Sequence, residues 1–478
     1  MPDRAITRRR LLVAGGAGVA ALALGGCGAP ARNAGRTPDF GALRPDPNGI
    51  VDLPGLFRYR ILQQEGDRLA GGAAAPGYFD AMVALSMRDG ATVLVRNHEL
   101  APEDEVRWSV EGLAAYEAGG PGGTIALVLG RDGTVERSYA TSAGTINNCA
   151  GGPTPWGTWL TCEEDRTDGH GYVFEVEPDD QTGRLSRRPI RAMGSFSHEA
   201  AGVDPATGIV YVTEDNYQGE PDAASGRQMS FLYRYLPKDR RRRPGALHAG
   251  GRLQALAADE AAARAEGLAE GRRLGVRWVD VGAEDPHVDA VERGALRFTR
   301  LEGADFAGGA LWFSDTEGGP AALGRMYRYT PRTEALELFA EGTPQNGMSS
   351  PDNVTVTPWG DVWFAEDRDE GSRIIGLTPA GDLYRFGVAR LPGAELAGPT
   401  FSPDGRTFFF NVQSPGFTIA VEGPFPAASS AARGVMARAA PPQHLAPRLA
   451  PDAVEAGLRA GLPPLEAAAL DRAGVPLS

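Results

Sequence analysis

Apolar runs in this chain return at intervals of about fifty residues, and each closes on polar side chains. They read VLVRNHE (93–99), TWLTCEE (158–164), VYVTEDN (210–216), LWFSDTE (311–317), VWFAEDR (362–368) and FFFNVQS (408–414). Alternation of apolar and polar positions marks half-buried strands. Before four of them lies a second short strand pattern: SHEAAGV (197–203), EGADFAG (302–308), SPDNVTV (350–356) and AGPTF (397–401). Turns such as Asp204–Gly208, Pro358–Asp361 and Pro403–Gly405 separate the two strands of a pair, with Pro and Gly supplying the backbone angles. Outer strands follow as GYVFEV, FLYRYLP, RMYRYTP, RIIGLTP and DLYRFG. Six copies of one unit predict an all-β, six-bladed β-propeller over residues 49–425.

The spacing breaks once, between Glu214 and Asp315. The surplus, about 238–273, contains Arg240–Arg243 and an Ala/Glu/Arg/Leu stretch from Leu253 to Arg272 whose composition predicts an inserted helix. The arginine run reads as a solvated loop or as a contact for anionic lipid headgroups. Beyond Phe425 the chain turns Ala/Pro-rich, and residues 426–478 are expected to form a short helical tail.

The N-terminus reads as an address rather than as fold. Residues 1–27 combine Arg8-Arg9-Arg10 with the apolar stretch Leu11–Leu24 and end in Gly25-Gly26-Cys27. That pattern predicts twin-arginine export and a lipid anchor on Cys27 at the extracytoplasmic face of the membrane. Residues 28–48 follow as a tether. The formal charge of −13 argues against nucleic acid as a partner and favours cations. A monomer is expected.

The strand ends carry the candidate chemistry. They are Glu99, Glu163 with Glu164, Glu214 with Asp215, Asp315 with Glu317, Glu366 with Asp367, and Asn411 with Gln413. In a ring, equivalent strand ends meet at the axis, and carboxylates gathered there repel unless cations neutralise them. The opening strands add His198-Glu199, Glu302 and Asp352-Asn353. Hard oxygens suit calcium. Cys162 reads either as a thiolate on a transition metal, iron or zinc, or as half of a disulfide with Cys149. Arg300, on the same strand face as Glu302, reads as an anion fork or as a salt-bridge partner. His98 and His198 read either as ligands or as core hydrogen bonders, with the second favoured because each adjoins a glutamate that matches the cluster better. No phosphate-cradling Gly loop, Gly-x-Ser-x-Gly elbow or Cys-x-x-Cys pair is present.

The block GTINNCAGGPTPWGTWLTCEE (144–164) resembles the PhoX family of alkaline phosphatases, as do residues 197–215, 302–319 and 350–367. The likeness spans roughly 50–425 and points to a compact branch. It implies a six-bladed propeller holding a mixed iron–calcium cluster with a bridging oxide, acting on small phosphate monoesters. By the same resemblance, Cys162 corresponds to the thiolate on iron, and Glu163, Glu199 and Glu302 to acidic cluster positions. Arg300 corresponds to the phosphate-binding arginine, and Glu214, Asp215, Asp352 and Glu366 to further ligands. The alternatives are a calcium-dependent lactonase-like propeller and a non-catalytic binding scaffold.

Overall fold

The computed structural model describes residues 37–428, apart from 88, 105–109, 223–224, 259–264 and 369–370. The expected signal with Cys27, residues 28–36 of the tether and the tail from 429 onward lie outside the described residues. What is described is all-β and propeller-like, with one α-helix, Pro286–Glu292.

Antiparallel meanders build the sheets. Phe79–Ser86, Thr92–His98, Gly122–Leu129 and Val135–Thr145 pair in chain order, and Asn148–Pro153, Trp159–Glu163 and Val173–Val176 form a smaller sheet of three. Two more meanders, opening at His198–Val203 and at Leu301–Ala307, fuse into nine strands where Arg273–Val281 pairs with Ala335–Glu341. The sheet opening at Pro351–Val356 is widened by Val51–Pro54 and Leu43–Arg44. The last meander, Leu396–Phe401, Thr407–Val412 and Phe417–Glu422, takes its fourth strand from the other end of the chain, Arg58–Gln64. That pairing joins the two ends of the described chain in one sheet.

The opening strands pack on one another in a cycle. Phe79–Ser86 meets Asn148–Pro153, which meets His198–Val203, then Leu301–Ala307, Pro351–Val356, Leu396–Phe401 and Phe79–Ser86 again. They approach closely: a Cβ on Gly303 would stand 2.6 Å from the Asp352 carbonyl oxygen, so a side chain there would push two strands apart. Between the sheets lie buried apolar clusters, such as Trp363, Phe386, Phe401 and Phe408. In residues 37–48, the described part of the expected tether, Phe40 is packed: its ring lies 5.4 Å from Phe57 and 6.5 Å from Phe425.

The inserted helix expected at 253–272 is not what forms in its described part. Gly251–Ala258 is a strand, paired on one side with Leu232–Pro237 and on the other with Arg273–Val281. Leu253 to Ala258 are all buried between these neighbours, and two waiting strand edges outweigh the helical preference of alanine.

Candidate metal centre

One backbone irregularity recurs in all six opening strands. The register slips by a residue between Phe79 and Met82, Asn148 and Gly151, His198 and Ala201, Leu301 and Ala304, Pro351 and Val354, and Ala397 and Thr400. Each slip is a β-bulge, which bends the strand and re-aims a side chain. At its head stand Asp80, Cys149, Glu199, Glu302, Asp352 and, in the last strand, Ala397. A second position repeats just beyond the neighbouring strand. The backbone N–H of Glu99, Glu164, Asp215, Thr316, Asp367 and Gln413 donates to the carbonyl of Tyr78, Asn147, Ser197, Arg300, Ser350 and Glu395, at 2.9–3.1 Å. Four of those acceptor residues, Tyr78, Asn147, Arg300 and Ser350, have φ between 42° and 52°. A bulky side chain is strained there, and strain of this kind gathers at functional sites.

Donor atoms from these two positions converge. Asp80, Glu99 and Cys149 lie within 4.8 Å of one another; so do Cys149, Glu164 and Glu199; so do Glu164, Asp215 and Glu302; and so do Glu199, Glu302 and Asp352. Four triads thus overlap through Cys149, Glu164, Glu199 and Glu302. None of the eight residues is more than 8% exposed.

Their electrostatics are unfavourable without cations. Burial, then the charges of Glu164, Asp352 and Asp80, pushes the Glu199 carboxyl well above the carboxylate range. Burial, then Asp215 and Glu199, does the same to Glu302, and burial followed by Asp80 and Glu164 pushes the Cys149 thiol up. Among the described residues no nitrogen or oxygen donor reaches either Glu199 oxygen, although both are sealed from solvent. Buried carboxylate oxygens without donors want a cation. Seven carboxylates fit hard cations such as calcium, and the thiol among them fits a transition metal such as iron.

Positive charge enters from Arg300. Its Nη2 lies 2.6 Å from Asp215 Oδ2 and 3.0 Å from Glu302 Oε1, and its Nη1 lies 3.1 Å from Glu317 Oε1. Gln413 adds an amide, donating to Glu99 at 2.9 Å.

The family model described as alkaline phosphatase PhoX matches residues 38–128 and 118–416. The chain belongs to the PhoX alkaline phosphatase family. Its enzyme class is that of a phosphatase. Among solved structures it is similar to Pseudomonas fluorescens PhoX in complex with vanadate, a transition state analogue: 19% identity over 80% of this chain and 97% of that one, with a TM-score of 0.61. A weaker likeness is to XC5397 of Xanthomonas campestris, described as a gluconolactonase: 15% identity over 76% and 100% of the chains, TM-score 0.36. No curated protein matches.

Within this PhoX-family site the expected ligands divide. Glu199, Asp215, Glu302 and Asp352 are brought together. Cys162, Glu163, Glu214 and Glu366 are not in the triads. Cys162 points the other way along its strand from Thr161, whose hydroxyl bonds Asn97, and sits in an apolar cluster with Leu160, Val173 and Phe196. The grouped sulfur is Cys149, and both cysteines are free. Glu163 accepts from Ile146 N and Tyr172 N and faces His170 Nδ1 at 2.7 Å. Glu214 accepts from Phe231 N and the Tyr233 hydroxyl and faces His287. Glu366 holds Arg373 and accepts from Ser349 N. Asp80, Cys149 and Glu164 join the group instead, along with Glu99. The repeated residue after each backbone-pairing position could have flagged Asp80 and Cys149, because YFDA and NNCA align with SHEA and RLEG.

His98 and His198 are core groups. Burial, reinforced by Arg96, holds the His98 imidazole well below its usual value; burial holds His198 at about 4, stacked on Phe196.

Proposed function

We propose that this PhoX-family protein hydrolyses phosphate monoesters at a mixed iron–calcium cluster on the axis of a six-bladed propeller. The observation that carries the reading is the set of four overlapping, buried donor triads. The cyclic packing of six opening strands supports the blade count. Cys149 would hold iron through its sulfur, and Asp80, Glu99, Glu164, Glu199, Asp215, Glu302 and Asp352 would share iron and calcium. When bound, such cations supply charge neutralisation for a phosphoryl group.

The chain's own residues set the rest. Bulged strands fix the carboxylates before any substrate arrives, so little reorganisation is left for the reaction. Sealing the group from solvent strengthens every charge interaction inside it. Arg300 is the guanidinium at this group, its side chain 11% exposed, and three carboxylates fix its orientation. Its role is to meet phosphoryl oxygens with a planar donor fork. Export by the twin-arginine route and anchoring through Cys27 belong to the same reading, supported by residues 4–27; Cys27→Ser should abolish labelling by a radioactive fatty acid.

Elemental analysis of the folded protein, with p-nitrophenyl phosphate turnover before and after chelation, tests the proposal. Iron together with calcium and chelator-sensitive turnover are expected. Calcium alone, with no turnover, would favour a lactonase-like hydrolase or a binding scaffold. Arg300→Ala should weaken inhibition by inorganic phosphate roughly 10- to 100-fold while leaving the metal content unchanged. Loss of the metals first would make Arg300 a structural partner of Asp215.

A further inference from the structure

The sheet Asn148–Val176 has three strands, where the meanders flanking it reach four or more. Irregular chain occupies the place of a fourth: Pro189 touches Phe174 through a single bridge, and Arg191–Met193 makes a 3-10 turn. Between this segment and the turn Ala246–Ala249 a cavity of about 450 Å³ remains. It brings together Arg187, Arg188, Arg191 and His248 around Ile190 and Leu247, and among the described residues no carboxylate lines it.

The wall is cationic in a molecule whose formal charge is −13. Arg184, Arg234 and Arg273 are each paired with a glutamate. Arg187 and Arg188 make no side-chain ion pair or hydrogen bond with the described residues. The wall is nevertheless built. Arg191 Nη1 donates to the Tyr172 hydroxyl at 2.9 Å, with its guanidinium 4.8 Å from the ring centre. His248, its side chain 8% exposed, ties the two segments through Nε2 and the Arg188 carbonyl at 3.0 Å. Its buried Nδ1 makes no hydrogen bond and lies 3.9 Å from Glu175 Oε2. Glu175 itself is occupied by Trp156, Thr158 and Gly245 N.

We propose that this cavity is a second anion site, separate from the metal centre, that takes a phosphate group attached to an apolar or neutral body. Guanidinium forks match phosphate oxygens in pairs, and Ile190 and Leu247 offer apolar surface to the remainder of the ligand. Two sources share this chemistry, a free phosphorylated solute and the headgroup of an anionic phospholipid. None of the lining residues belongs to the metal group, so the site stands whether or not the cluster reading does.

Isothermal titration of the full-length, metal-loaded protein tests it, using inorganic phosphate and, separately, dihexanoyl phosphatidylglycerol below its micelle concentration. The comparison is with the double variant Arg187→Ala/Arg188→Ala. Both side chains are exposed, so folding and p-nitrophenyl phosphate turnover should be unchanged. Loss of one phosphate per chain, or a roughly tenfold or greater weakening, identifies a free-anion site. Weakening confined to the phospholipid identifies a headgroup site and also supports the proposal. Unchanged binding of both probes in a folded variant overturns it.

Discussion

Glu163 and Glu164 are chain neighbours, 0% and 1% exposed, and the structure uses them in opposite ways. Glu164 turns to the axis and shares triads with Cys149, Glu199, Asp215 and Glu302. Glu163 turns outward and is bonded to two backbone N–H groups and His170. The same split separates Asp215 from Glu214. Period-two alternation of the strand produces it, since consecutive side chains leave on opposite faces. A buried carboxylate given donors by its own chain is a structural element. One packed among other carboxylates needs ions from outside.

Exchanging sulfur between the two faces should give the largest contrast. Cys149→Ala is expected to remove iron and cut p-nitrophenyl phosphate turnover roughly 100-fold or more, read by elemental analysis and kinetics. Cys162→Ala should keep both and cost about 1 kcal/mol of stability in denaturant titration. Equal loss in the two variants would erase the inward–outward distinction at this strand.

Removing an outward acid should damage the fold rather than the chemistry. Glu366→Ala removes the carboxylate partner of the Arg373 guanidinium, 10% exposed, leaving it only the Gly347 carbonyl among the described residues, and is expected to cost about 3–5 kcal/mol, with metal content per folded molecule unchanged. Glu214→Ala leaves Phe231 N and the Tyr233 hydroxyl without an acceptor and should cost about 1–3 kcal/mol.

Acidity sharpens the comparison further. Burial and then neighbouring carboxylates raise Glu199 and Glu302 above their ordinary value of 4.5. In chelated protein the folded state therefore keeps protons that the unfolded chain has already released, and stability falls as pH climbs from about 4.5. Chelated protein is expected to melt higher at pH 5 than at pH 8, and metal-loaded protein should lose that slope. A flat profile after chelation would mean the inward acids are neutralised by the chain itself.

The smallest effect belongs to His170 on the outward side. Burial pushes its imidazole down, but the hydrogen bonds and charges of Glu163 and Glu117 outweigh that and raise it from 6.5 to about 9. Its contribution is fully present below pH 6.5 and fades as pH rises through 9. His170→Asn should flatten that part of a melting-temperature profile.

Strand and turn positions were legible in the chain because alternation and Pro/Gly punctuation report them directly. Glu199, Asp215, Glu302 and Asp352 could be picked out as acids near strand ends. What was hidden is phase. Where two acids adjoin, as at 163–164, composition cannot say which one faces the axis. The bulge that aims Asp80 and Cys149 adds a residue no periodicity reveals. Ala255 to Ala258 read as helix because intrinsic preference is local, whereas the strand edges that capture them come from 232–237 and 273–281.

The seam between Arg58–Gln64 and Phe417–Glu422 makes the ring depend on both ends of the described chain. Without residues 417–422, the strand Arg58–Gln64 has no partner in that sheet. Cutting the chain ahead of Phe417 is expected to abolish retention of the proposed ions, read by elemental analysis, even though every proposed liganding residue would still be present.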